Sequence, residues 1–234
     1  MARSRQNANQ VPTIEGTSIG GVTPAAGAFT TLGATGAVTL AGTTALNGPI
    51  NVNGAASVAG QIIRSTGPAV AAAWGAALVQ GTAQNSTSGT SIDFNGVIPS
   101  WARRITVMFT GVSTGGTSGL QIQIGPSGGV ETTGYVGLTT SAAAASAGTV
   151  AHTSGFVIAT GADAATSVRS GAVTITNASG NIWAATGGIA DTVSVRSANI
   201  NYSKTIAGVL DRLRITTING TDVFDAGSIN IMWE

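Results

Sequence analysis

Cysteine is absent from the 234 residues, histidine occurs once, and only 8% of the chain is charged. The first absence excludes disulfides, thiolate metal sites and cysteine nucleophiles together. The second leaves His152 without a second imidazole, so any metal site would have to be built from carboxylates. The third is the most unusual, because an ordinary globular chain carries roughly 25% charged residues. Ten Lys and Arg against nine Asp and Glu give a formal net charge of +1. That balance offers no electrostatic basis for binding nucleic acid or an anionic membrane. No stretch has the length and apolarity of a membrane span, and residues 1–7 lack the apolar core of a secretory signal. The expectation is a protein made in a cytosol, with no membrane insertion. The glycosylation-like triplets at Asn85, Asn177, Asn201 and Asn219 then count as chance matches in a Ser/Thr-rich chain.

What is present is glycine, 34 residues of it, with 43% hydrophobic residues, too many for a disordered chain. Between residues 36 and 66 the glycines keep time: Gly36, Gly42, Gly48, Gly54 and Gly60 stand six apart. Two positions after each Gly come Val38, Thr44, Ile50, Ala56 and Ile62. Four positions after come Leu40, Leu46, Val52, Val58 and Arg64. Each hexad is thus a Gly corner and a short strand with one apolar row. A fixed short period implies a repetitive β architecture in which one rung cannot bury its own face. A single-chain β-helix would complete fewer than two turns with five hexads. An intertwined trimer, in which each chain supplies one side of every rung, is the favoured arrangement. Its shaft core would be Val38, Leu40, Leu46, Ile50, Val52, Val58 and Ile62. A flexible linker is the plainer alternative, but it would not need Leu, Val and Ile at fixed places. From Gly16 to Ile63 there is no charged residue, which suits a shaft covered by neighbouring chains.

The preceding segment contains Ile14, Gly16, Ile19, Gly20, Pro24, Gly27, Phe29, Thr31 and Leu32 in a fixed order. It resembles a phrase found in the fibre and virion-appendage proteins of tailed bacteriophages, where it precedes a repetitive β shaft. The resemblance spans about residues 14–40. It implies a virion structural protein whose first residues dock on other virion structural proteins. With the trimer drawn from the six-residue rhythm and the scarcity of catalytic groups, a non-enzymatic homotrimer is expected. Arg3, Arg5, Ile14, Ile19 and Phe29 are then the docking candidates. A tail position and a role in host-surface attachment are expected first. A head fibre or capsid decoration protein is the alternative, and a polysaccharide depolymerase a more distant one.

Beyond residue 66 the rhythm breaks. Residues 67–89 are expected to form a neck or linker, with 69–78 briefly helical or extended. Residues 90–234 show short alternating segments between Gly, Ser and Asn turns, the pattern of an antiparallel β-sandwich. Strands are expected at 91–97, 104–112, 120–124, 156–160, 171–176, 192–197, 213–218 and 228–233, with a tight turn at Asn219-Gly220. The count suits a jelly-roll-like knob. Trp101 and Trp233 are expected in the core at strand ends, and 203–212 is the one other place for a helix. The stretch 97–105 and the ending 224–233 resemble domains of phage fibre proteins more loosely.

Chemistry is sparse. No nucleophile elbow accompanies His152. A glycan-cleaving site needs two facing carboxylates, and Asp93, Glu131, Asp163, Asp191, Asp211, Asp222 and Asp225 are scattered. Asp211 is expected to pair with the flanking Arg212 and Arg214. Asp222 and Asp225 suit a turn, with calcium as the functional alternative. No cofactor is expected. A host-surface glycan would need an exposed ring beside polar loops, and Tyr135, Trp183 and Tyr202 have such neighbours. Burial in the sandwich is nonetheless the favoured assignment for all three.

Overall fold

In the computed structural model, residues 51–52, 55–56, 61–64, 73–143, 146–159 and 164–234 are described. By compactness the chain divides into residues Met1–Gly48, outside that set, and Pro49–Glu234. The described residues are all-β and antiparallel, with no helix.

Two small ladders come first. Strand β1 (Asn51–Val52) pairs with β2 (Ala55–Ala56), and β3 (Gln61–Arg64) pairs with β4 (Ala73–Ala76). Residues 73–76, expected as a helical or extended neck, are therefore extended. Of the shaft candidates, Val52 lies in β1 opposite Ala55, and Ile62 lies in β3 opposite Gly75. Ile62 and its neighbour Ile63 are about half exposed. Val38, Leu40, Leu46, Ile50 and Val58 lie outside the described residues, as do Arg3, Arg5, Ile14, Ile19 and Phe29.

The body consists of β5 (Val79–Gln80), β6 (Gln84–Asn85), β7 (Ser91–Asn95), β8 (Arg104–Thr114), β9 (Leu120–Gly125) and β10 (Tyr135–Ala143). It continues with β11 (Ser146–Ala151), β12 (Phe156–Val157), β13 (Arg169–Ser179), β14 (Ile182–Asp191), β15 (Arg196–Thr205), β16 (Arg212–Thr217) and β17 (Phe224–Trp233). The large sheet has the order β11-β10-β15-β14-β13-β8-β17-β5, with β6 also on β17. The small sheet has the order β12-β9-β16-β7. One continuous buried cluster draws side chains from both sheets. Ile105, Val107, Val173, Ile175, Ile200, Ile229 and Ile231 come from the large sheet, and Ile92, Ile122, Ile124, Leu213 and Ile215 from the small one. Their spacing of two is what a one-sided sheet requires. Each such side chain removed from water contributes roughly 1.5–3 kcal/mol.

Several local outcomes differ from the sequence pattern. Strands β5 and β6 fall in the stretch expected as a neck. They pair with β17 at Met232↔Gln80 and Ser228↔Asn85, and Ser86 is fully buried with its Oγ donating to the Ala226 carbonyl at 2.8 Å. Residues 192–195, expected inside a strand, form the reversal between β14 and β15. Thr192, Val193 and Val195 are β-branched and look strand-like. Yet Asp191 Oδ1 accepts from the amides of Val193 and Ser194, each at 3.1 Å, and the capture bends the chain. Val195 takes φ +46°, a strained value for a β-branched residue. Residues 203–205 complete β15 instead of starting a helix, and Ile206 and Leu210 continue into the core.

The Asn219-Gly220 turn forms, with Gly220 at φ +71°. The runs on either side do not pair with each other, because β16 belongs to the small sheet and β17 to the large one. Trp233 is buried at the end of β17 as expected, whereas Trp101 is 42% exposed in the loop before β8. The β8–β17 ladder is bent by irregularities where Gly227 (φ +93°) faces Gly111. A Cβ at Gly227 would lie 2.4 Å from the Gly111 carbonyl oxygen, so only glycine fits this bulge.

Candidate functional site

The three aromatic candidates for glycan contact are interior, as the favoured assignment from the sequence has it, and the glycan-contact alternative for them is corrected. Tyr135 is fully buried at the start of β10 and meets Phe156 edge-to-face, with ring centroids 4.9 Å apart. Its hydroxyl donates to the Glu131 carbonyl and accepts from the Ile124 amide, both at 2.8 Å. Burial raises the Tyr135 pKa further above its ordinary value. Tyr202, 5% exposed, lies 6.0 Å from Phe156, and its hydroxyl sits 2.9 Å from Thr139 Oγ1. Trp183 is 4% exposed. A chain with so few aromatic residues uses these to fill its core.

A candidate functional surface is the outer face of the small sheet. Registers across β9, β16 and β7 place Gln123, Arg214 and Asp93 in one row, and Gln121, Thr216 and Ser91 in the next. The alternation that turns Ile122 and Ile215 inward necessarily turns these six outward. Loops carrying Ser154, Thr132 and Asn219 rise around them and leave a groove of about 360 Å³. Its floor is fixed. Gln121 Nε2 donates to the Thr217 carbonyl at 3.2 Å, and Ser154 Oγ donates to Gln121 Oε1 at 2.8 Å. Gln123 Nε2 donates to the Ser154 carbonyl at 3.0 Å, and Thr216 Oγ1 to the Thr90 carbonyl at 2.8 Å. Arg214 Nε donates to Asp93 Oδ1 at 2.7 Å, so the one cation is neutralised in place. Gln121, Gln123 and Thr216 are themselves buried, so the groove has a fixed polar floor with little net charge. It suits a hydroxyl-rich, uncharged ligand better than an anion.

A second cleft, of about 330 Å³, lies at one end of the sandwich between Ser100, Arg103, Asn177, Asn181, Trp183 and Leu210. Arg103 Nη1 there donates to the Ser100 carbonyl at 3.1 Å, and Asn177 Nδ2 to the Gly180 carbonyl at 2.8 Å. Trp183 thus borders a cleft without exposing its ring.

The described carboxylates are individually engaged. Glu131 pairs with the buried Lys204 and accepts from the Ala207 amide at 2.7 Å. Burial raises its pKa, but these partners outweigh it and the net shift is downward. For Asp191, burial likewise raises the pKa, while the Ser167 and Ser194 hydroxyls and the 193 and 194 amides hold it down at about 2. Asp211 contacts Arg212 at 3.4 Å, whereas Arg214 turns to Asp93 across the ladder. Asp222 accepts from the Ser118 amide at 2.8 Å and from Asn219 Nδ2 at 2.7 Å, as a turn residue would. Asp225 accepts from Ser113 Oγ. Among the described residues no group of three or more His, Asp or Glu could hold a metal ion. Asp163 lies outside them.

Gln121 and Gln123 were not among the sequence candidates, Asp93 was named only as one of the scattered carboxylates, and Arg214 only as a partner for Asp211. The alternation at 120–124 puts both glutamines on one side of a strand. It is the pairing of β9 with β16 that makes them neighbours of Arg214, and nothing local encodes that pairing. Comparison with known proteins identifies no relative: no family model, curated protein or solved structure matches the chain.

Proposed function

We propose that the protein is a non-enzymatic structural fibre of a tailed-bacteriophage virion. It assembles as a homotrimer and contributes to host-surface attachment. The observation that carries this reading is the unbroken six-residue rhythm of residues 36–66 with its apolar rows. A chain that repeats Leu, Val and Ile every six residues needs neighbours to cover them. The half-exposed Ile62 and Ile63 on β3 are consistent with that need. The resemblance of residues 14–40 to phage fibre proteins supports the virion assignment and a docking role for the first residues.

The two-sheet body supports the reading of a knob. The strand orders β12-β9-β16-β7 and β11-β10-β15-β14-β13-β8, with β14 and β15 taken as an inserted hairpin, support a jelly-roll-like reading of that knob. Under this reading the polar groove around Gln121 and Arg214 takes the place of the buried aromatics as the contact with a host-surface saccharide. Three knobs on one shaft, repeated over a particle, would turn weak contacts into firm attachment. A tail position is preferred; a head fibre or capsid decoration protein would share the same parts and differ in what residues 1–35 bind.

The test is to label the chain with gold on particles that carry it. Label at the tail or its baseplate is the expected result, and label on the head would favour the decoration reading. Particles without label would remove the virion assignment altogether. Shortening of host polysaccharide by the purified protein would overturn the non-enzymatic part.

A further inference from the structure

The two faces of the large sheet differ sharply in composition. Its inner face is the core. On its outer face the registers align Met232, Thr106, Thr174, Thr186, Asn201 and Leu138 in one row across six strands. The next row passes through Ala172, Gly188 and Asn199. Among the outward positions of β8, β10, β13, β14 and β15, Arg104 carries the one charge, and it pairs with Glu234 at the strand end. The rest are Thr, Ser, Asn, Ala and Gly, with a single Met, two larger apolar residues on β10 and Ile182 at the end of β14. Those two, Val136 and Leu138, are 69% and 49% exposed.

A sheet face left in water is normally kept from associating by Lys, Glu and other charged side chains. This one has none across its middle. Its small side chains let another backbone approach closely and lose little rotamer freedom on burial. Six strands about 4.8 Å apart, each contributing about eight residues of about 3.4 Å rise, give roughly 800 Å². That is about the area per partner of a standard stable interface.

We infer that this face is covered by a neighbouring copy of the same chain. An interface with a different protein would use charge to steer and set register, and the face offers none. Obligate contacts between identical chains are the ones depleted of charge in their centre. The inference rests on the homotrimer reading and extends it, since it places a contact between copies in the knob as well as in the shaft.

The absence of cysteine makes a direct test available. Thr186→Cys and Asn199→Cys place one thiol on the face, and Thr133→Cys places one on an exposed loop away from it. Each full-length variant is purified alone, its native mass measured, and its thiol reacted with a maleimide. The expected result is labelling at 186 and 199 at least about tenfold slower than at 133 in a particle of several chains, with equal rates after unfolding. Equal rates in the folded protein would overturn the inference and leave a trimer held by the shaft alone. Slow labelling in a particle with the mass of one chain would overturn it too, because residues of the same chain would then be the cover.

Discussion

The outer faces of the two sheets present opposite surfaces over one shared core. That of the large sheet is made mostly of short side chains, with contacts such as Thr106 Oγ1 to Thr174 Oγ1 at 3.5 Å. That of the small sheet carries Gln121, Gln123, Arg214 and Asp93, walled by loops and tied down by side-chain hydrogen bonds. The difference shows where a chain with 8% charge spends it. Four pairs form, Arg214 with Asp93, Lys204 with Glu131, Arg104 with Glu234 and Arg212 with Asp211, and the middle of the broad face carries no charge. A face without charge suits permanent contact, and a groove of fixed amides suits exchange with a ligand.

That comparison can be broken or sharpened by substitution. The largest expected effect is in the core that both sheets share. Phe156→Ala removes a fully buried ring from the Tyr135–Tyr202 cluster and should cost about 3–5 kcal/mol in urea unfolding. A much smaller loss would mean that the sheets are not bound through one cluster. Next is Lys204→Ala. It leaves Glu131 without its cation beside the Tyr135 ring, over which the ammonium sits at 5.4 Å. A loss of about 2 kcal/mol is expected from unfolding curves at neutral pH.

Acid should act through Asp191. Its folded pKa of about 2 lies below the ordinary 3.8, so its contribution is complete above pH 4 and disappears as pH falls toward 2. The size is about 2 kcal/mol, and Asp191→Asn should flatten that limb of the pH–stability curve. The smallest effect on stability belongs to the groove. Arg214→Ala should cost no more than about 1 kcal/mol, because the pair with Asp93 is partly exposed. Its effect on adsorption of particles to host cells should nonetheless be large if the groove is the contact. Unchanged adsorption would move attention to the cleft beside Trp183.

How much of this was legible in the sequence depends on what each face is made of. Strands β7, β8, β9, β16 and β17 were found because Ile, Val, Leu and Phe alternate in them with polar residues. Strands β10, β11, β14 and β15 were not, because Ala, Gly, Thr, Ser and Asn occupy their outward positions and blur the period. That same composition is what makes the outer face unusual. Tyr135 and Tyr202 sit among Gly, Asn and Ser that mark loops elsewhere, and burial follows only once β10 and β15 are seen to pair. The reversal at 192–195 was hidden for a related reason: one Asp side chain overrides three β-branched neighbours.

The central claim is that identical chains cover one another, and native mass in solution tests it most directly. The account predicts a particle of about three times 22.9 kDa. Replacing Leu46 or Val52 by Asp should weaken that particle, leaving it held by the knob contact alone. A stable folded species of 22.9 kDa from the unaltered chain would contradict the account.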